Sequence, residues 1–340
     1  CTLADAVTAA NTGVATGGCP AGDSGSDTLV LDADVTLDDV DPLSSEQQGS
    51  FAALPDITSD VTVRAGAAST IRRNPAYTCT TDTADPVFRF FNVTAGSLVL
   101  ENVDLVGACL AGVRATGAVI LSSLGTSLTL TGVTVDGATA KNAASSIQGA
   151  AVYSFANSVT ISDSRFRNVH AEATGSLQGG VVYLGNSLAA AEVRGTAFQE
   201  IEADAQSTLQ GGAIYASIST LDLVDVTFED FEVSGSSLQG GAVHRANGDS
   251  FTWSDGAIHE VRATATSSLN GAAIYSSLTT DSSIDDLEAS DITGTAGSAA
   301  EGGVLYGFST SLELRHVQAS DVALAVGEGA CSGGALWVRT

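Results

Sequence analysis

Gln210-Gly211-Gly212-Ala213-Ile214-Tyr215 is followed, after a polar corner, by Leu221-Asp222-Leu223-Val224-Asp225-Val226-Thr227-Phe228, and this stretch decides the fold. Apolar and polar residues alternate through its second part, the period-two pattern of strands with one buried face. A third short segment, Asp230-Phe231-Glu232-Val233, and a Gly/Ser-rich return complete the unit. The unit then repeats. Its opening recurs as Gln148-Gly149-Ala150-Ala151-Val152-Tyr153, Gln178-Gly179-Gly180-Val181-Val182-Tyr183 and Gln239-Gly240-Gly241-Ala242-Val243-His244. Further copies are Asn270-Gly271-Ala272-Ala273-Ile274-Tyr275, Glu301-Gly302-Gly303-Val304-Leu305-Tyr306 and Ser332-Gly333-Gly334-Ala335-Leu336-Trp337. The first glycines fall at 149, 179, 211, 240, 271, 302 and 333, so the successive spacings are 30, 32, 29, 31, 31 and 31.

A period this steady marks a repeat architecture. Three short strands per period, joined by turns, describe one coil of a parallel β-helix. Helical repeats of similar length are excluded, because no segment carries a 3.6-residue period in helix-forming residues. Equivalent positions of successive coils stack, so residue types should recur as ladders. Gln148, Gln178, Gln210, Gln239 and Asn270 form an amide ladder at a corner. Leu177, Leu209, Leu238 and Leu269 make an apolar row beside it. Phe166, Phe198, Phe228 and Ile258 make a second apolar row, which gives way to Ala289 and Ala319. Tyr153, Tyr183, Tyr215, His244, Tyr275, Tyr306 and Trp337 make an aromatic ladder. Upstream, Thr28–Leu31, Asp60–Val63, Phe88–Phe91 with Ser97–Leu100, and Val119–Ile120 with Ser127–Leu130 extend the pattern. The expectation is an all-β parallel solenoid of roughly nine to ten coils in a single domain, with residues 1–27 as an N-terminal cap and 28–340 as coils.

Composition narrows the function. Acidic residues number 39 against 13 basic ones, a formal charge of −26. Phosphate backbones repel such a chain, which excludes nucleic-acid partners, and anionic membrane surfaces are disfavoured likewise. No apolar run reaches the 18 or so residues of a membrane span. An apolar content of 44% with 15% charged residues excludes disorder. The sequence opens at Cys1 without Met, which reads as the mature form of an exported chain.

Five cysteines in so acidic a chain point to an oxidising compartment. Cys79 and Cys109 stand 30 residues apart, one period, which would bring them onto adjacent coils within disulfide reach. Cys1 and Cys19 flank a short helical stretch, Leu3 to Ala10, and are expected to staple it as the cap. Cys331 is left over: an intermolecular bond, a free thiol or a buried reduced thiol all fit.

Cys1-Thr2-Leu3-Ala4-Asp5-Ala6-Val7, with Ala10-Asn11-Thr12 and Gly18-Cys19-Pro20, resembles the Cys-Ser-Leu-Arg-Glu-Ala motif that opens many secreted bacterial right-handed β-helix proteins. Leu54-Pro55-Asp56-Ile57 through Val63 is similar to their next characteristic stretch, though Ala4 and Asp5 stand where that motif has Arg-Glu. The Gly-Gly-Ala-Ile repeats with a downstream Phe also resemble the chlamydial polymorphic outer-membrane adhesins. The resemblance implies a right-handed β-helix and a surface protein, adhesin or passenger domain.

Parallel β-helices also host pectate-lyase-like enzymes, which need Ca²⁺-binding carboxylates, a basic residue as proton acceptor and cationic contacts for polyuronate. Here the 12 arginines are scattered and Lys141 is the only lysine. Asp285-Asp286 could begin a carboxylate pair, but neighbours on a strand face opposite ways, so a solvated edge is expected. His170, His244, His259 and His316 have no metal-ligand spacing, and surface or ladder positions account for them. No cofactor is implied, although scattered surface Asp could hold Ca²⁺ weakly. The irregular segment from Asp38 to Leu54 carries Asp38, Asp39, Asp41 and Glu46 without a basic companion. Flat rings in the aromatic ladder could stack on sugars or could simply stabilise the ladder. Asn92-Val93-Thr94 is a glycosylation sequon.

Two readings of function follow: an extracellular structural or adhesive rod without enzymatic activity, or a polysaccharide-binding or -degrading protein of the pectate-lyase-like group. The steady period leaves no room for long groove-forming loops in the seven-copy stretch and favours the first. Surface glycans or a host or neighbouring cell are the expected partners. The stretch Gly333 to Thr340 looks like the first strand of a further coil, so end-to-end assembly into a filament is also expected, with Cys331 near the joint.

Overall fold

Thr2 starts the helix α1 (Leu3–Thr12): its side chain accepts from the Asp5 amide at 3.1 Å, and Asp5 Oδ2 accepts from the Thr2 amide at 3.3 Å. This reciprocal capping box satisfies two amides that a helix start leaves unpaired. Gly13, at φ +63°, ends the helix. Leu3, Val7 and Ala10 belong to the same buried cluster as Leu31, Leu54 and Ile57, so α1 lies over the first coil as a cap. Cys1 and Cys19 are disulfide-bonded, with Cα atoms 4.9 Å apart. In this computed structural model the described residues are 1–23, 25–80, 85–112, 114–142, 146–186 and 189–339. Among them no helix is long and apolar enough to cross a membrane.

The first strands are β1 (Asp27–Leu31), β2 (Val35–Leu37) and the long β3 (Asp60–Arg73), and both β1 and β2 pair in parallel with β3. From there each coil pairs in parallel with the next, giving a parallel β-solenoid of about ten turns. The register follows the repeat. Phe166, Phe198, Phe228, Ile258, Ala289 and Ala319 are successive partners in one row. Leu177, Leu209, Leu238 and Leu269 are partners in another, which continues through Ala300 to Cys331. Cys331 therefore occupies a core-row position, although it is exposed in this structure and carries a free thiol.

Each repeat coil bends at three corners, and at each the backbone enters the left-handed region. One corner is the glycine row: Gly149, Gly179, Gly211, Gly240, Gly271, Gly302 and Gly333 all have φ between +61° and +72°. A Cβ on Gly211 would lie 2.1 Å from the Ile214 carbonyl oxygen, so a side chain is excluded there. Carboxylates dominate the other two corners, which sequence reading missed. Asp225, Asp255 and Asp286 form one, and Glu200, Asp230, Glu260, Asp291 and Asp321 the other, all with φ between +51° and +56°. Asp tolerates this conformation better than most side chains because its short polar group bonds locally. The acidic columns on the outside are thus partly a backbone requirement.

The second disulfide, Cys79–Cys109, has a Cα separation of 5.7 Å. The expected bond is present, but Cys79 sits in the irregular stretch after β3, not at a strand position equivalent to Cys109. The buried Arg73 organises that stretch by donating to the carbonyls of Tyr77, Thr78 and Pro86 at 2.8–3.2 Å.

Candidate functional site

Two ladders run along the outside, beside the glycine corner. In the amide ladder, Gln148 Nε2 donates to Gln178 Oε1 at 2.8 Å, Gln178 to Gln210 at 2.8 Å, and Gln210 to Gln239 at 2.7 Å. Asn270 keeps the register of Gln239, but its side chain, one methylene shorter, does not join the chain of amides. Gln178 and Gln210 each both donate and accept, so the four amides are tied to one another along the axis. Gln210→Leu strands the donor of Gln178 and the acceptor of Gln239. We expect a loss of about 1–2 kcal/mol, read as a lower urea midpoint at unchanged slope.

The aromatic column is continuous. From Tyr153 through Tyr183, Tyr215, His244, Tyr275 and Tyr306 to Trp337, ring centroids are 4.3–5.1 Å apart and planes differ by 1–11°. Stacked in this way, the rings spend their flat faces on each other, and only their edges remain for a ligand along most of the column. That removes the physical basis for sugar stacking on the column's side. Tyr153 and Tyr183 are buried, with Leu121 beside them and Phe155 packed against them. Burial pushes the Tyr153 phenol up to about 12 and raises those of Tyr183 and Tyr215.

His244 interrupts the tyrosines and is only 2% exposed. Its Nδ1–H donates to the Gln239 carbonyl at 3.2 Å. Desolvation pulls its pKa from 6.5 to about 4, the Gln239 bond opposing this and Arg245 adding to it. Between pH 6.5 and about 4 the unfolded chain holds this proton and the folded chain does not, so stability falls as pH falls through that window. The contribution amounts to about 3 kcal/mol at 1.36 kcal/mol per pH unit. His244→Tyr restores the column's usual residue and should remove that component. Melting temperatures of the two proteins should diverge on acidification from pH 7 to pH 4, and parallel curves would refute the assignment.

Two arginines are fully buried, and sequence reading identified neither. Arg245 donates to the carbonyls of Ala216, Ala246, Ile218, Ser219 and Ser250 at 2.7–3.3 Å, while its Nε has no partner. Arg89 donates to the carbonyls of Gln47, Ser50, Thr116 and Gly117 and to Asn92 Oδ1 at 2.8–3.3 Å. Burial pulls both guanidinium pKa values down to about 10, so both stay charged at neutral pH. Arg89 is the basic companion that the 38–54 segment lacked in sequence. It reaches that segment from the coil beneath and binds carbonyls, not the carboxylates of Asp38, Asp39, Asp41 or Glu46. The signal lay in the sequence only as an Arg inside an otherwise apolar strand, Phe88-Arg89-Phe90-Phe91.

Asn92 is also fully buried. Its Nδ2 donates to Ser44 Oγ, the Ser45 carbonyl and Asp56 Oδ1 at 3.0–3.2 Å. The folded chain therefore does not present the sequon, and Asn92 is a structural residue that anchors the 44–56 segment.

Asp285 and Asp286 do not face opposite ways as a strand would place them, because Asp286 sits at a corner with φ +52°. Both lie beside His316, whose Nδ1 is 2.9 Å from Asp285 Oδ1 and 3.4 Å from Asp286 Oδ1. These are the only three such side chains, among the described residues, whose ligand atoms fall within 4.8 Å of one another. Asp286 and His316 are exposed and Asp285 is partly buried. Of the other histidines, His170 Nδ1 meets Glu202 at 2.8 Å and His259 Nδ1 meets Ser290 Oγ at 2.8 Å.

A cleft of about 710 Å³ lies between α1 and the first coil. Leu3, Ala6, Leu29 and Leu31 line it together with three carboxylates, Asp27, Asp32 and Asp34, and its lining includes no His, Lys or Arg. No protein-family model matches this chain, and no curated protein matches it in sequence.

Proposed function

We propose that the protein is an extracellular structural or adhesive surface component: a stiff solenoid that presents its outer faces to a glycan or to a neighbouring cell. The observation that carries this reading is the unbroken parallel pairing from Asp27 with Val61 to Phe308 with Arg339. A body whose every coil is bonded to the next resists bending. At about 4.8 Å per coil, ten turns make a unit roughly 48 Å long. The two disulfides favour an oxidising location. The motif resemblance to secreted β-helix proteins and polymorphic adhesins favours the cell exterior as well. A charge of −26 favours partners that are neutral or cationic. The ladders speak for a non-enzymatic role, since their amides and rings are engaged with one another.

The test is binding of the purified protein to intact cells and to a panel of neutral and acidic polysaccharides, with the supernatant assayed for new reducing ends and unsaturated uronates. Retention on a surface without release of sugar is the expected result. Release of either product would instead establish the pectate-lyase-like alternative. End-to-end association belongs to the same proposal, because the edge pairing that joins coil to coil within the chain can join copies. Light scattering should then give a mass that rises with concentration, and a constant monomer mass would remove this part.

A further inference from the structure

The aromatic column has a property that ladder stability does not use. Closely stacked rings exchange electrons rapidly, and indole and phenol are, with the thiol, the protein side chains most readily oxidised by one electron. Tyr306 and Trp337 are stacked at 4.3 Å and Tyr275 and Tyr306 at 5.1 Å. Beyond His244, which links Tyr275 to Tyr215 through stacks of 4.6 and 5.0 Å, the half-buried Tyr215 and the buried Tyr183 continue the column at 5.1 Å.

We propose that this column is a one-electron relay, which carries an oxidising equivalent from Trp337 along the solenoid to the buried tyrosines. The partner is a strong one-electron oxidant of the oxygen-radical class. It takes one electron from the Trp337 indole and is itself reduced. The indole radical cation recovers an electron from Tyr306, whose phenolic proton leaves to water, so the net product is one tyrosyl radical, one released proton and one reduced oxidant. In each further step one phenol passes an electron to the preceding phenoxyl radical. The oxidised phenol releases its proton and the reduced phenoxyl takes one up, so electron and proton travel the same way and each site stays neutral. Imidazole is far harder to oxidise than phenol, so His244 is a gap to be crossed by tunnelling and divides the relay into two halves.

Cys331 allows a direct test, because it is the free cysteine and is exposed. A ruthenium polypyridyl photo-oxidant attached there as a thioether, flashed in the presence of a quencher, oxidises Trp337, and transient absorption and paramagnetic resonance follow the radical. In the native sequence the indolyl radical should give way to a tyrosyl radical. Tyr306→Phe keeps the ring and the stack, and it should lose that conversion and leave a long-lived indolyl radical. His244→Tyr closes the gap and should raise the share of the tyrosyl signal that lies beyond it, a share that Tyr215→Phe and Tyr183→Phe together reduce. An indolyl radical of equal lifetime in the native and Tyr306→Phe proteins, both shown to be folded by their melting curves, would overturn the relay and leave the column as a structural ladder.

Discussion

Phe228→Ala should destabilise the protein by about 3–5 kcal/mol, the usual cost of deleting a buried aromatic side chain. Phe228 is fully buried, stacks on Phe198 at 5.0 Å, and meets Phe231 and Trp253 edge-on at 5.9 and 5.4 Å. The coils above and below hold these neighbours in register, so they cannot collapse into the space that alanine leaves. Trp253 rests on Gly256, where even a Cβ would come within 1.8 Å of its Nε1, and it has little freedom to move. Phe228→Ile makes the control, because Ile258 fills the next place in the same row. Its cost should stay near or below about 1.5 kcal/mol. Denaturant unfolding followed by tryptophan fluorescence measures both. A Phe228→Ala protein within about 0.5 kcal/mol of the parent would mean that this row does not carry the core.

Arg89→Met should be comparably severe, at about 3–5 kcal/mol, because several buried acceptors lose their donor together at about 1–3 kcal/mol each. Methionine fills much of the same volume but donates nothing. It leaves the carbonyls of Gln47, Ser50, Thr116 and Gly117 without the donor that now serves them. The loss has a location as well as a size. Gln47 and Ser50 belong to the segment that Asn92 also anchors, so that segment should become the first site of protease cleavage. Limited proteolysis with mass mapping would find the cut between residues 44 and 51. Equal resistance in both proteins would show that Asn92 and Asp56 hold the segment without the arginine.

The spacing of the Gly-Gly strands was enough to read the coil, its length and most of its rows. Stacking forces each position to recur every 29 to 32 residues, so the Phe, Leu, Gln and Tyr rows could be written down before any coordinate was known. Both disulfides were legible from spacing, one pair bracketing a helix and the other one period apart, although Cys79 reaches Cys109 from an irregular segment and not from the equivalent place in the coil. What a side chain does at its place in a row depends on its neighbours across the coil. Asp286 looked like a strand residue because alternation gives no sign of a left-handed corner, and only the backbone turn brings it to the same side as Asp285 and His316. Asn92 carried a valid sequon, yet packing of the 44–56 segment buried its amide. Arg89 and Arg245 find most of their partners in carbonyls 26 to 42 residues away, and main-chain oxygens leave no mark in a sequence. The aromatic column could be placed from its period alone. That its faces are spent on one another, so that it can conduct but not readily hold a sugar, follows from ring planes that only the folded stack fixes.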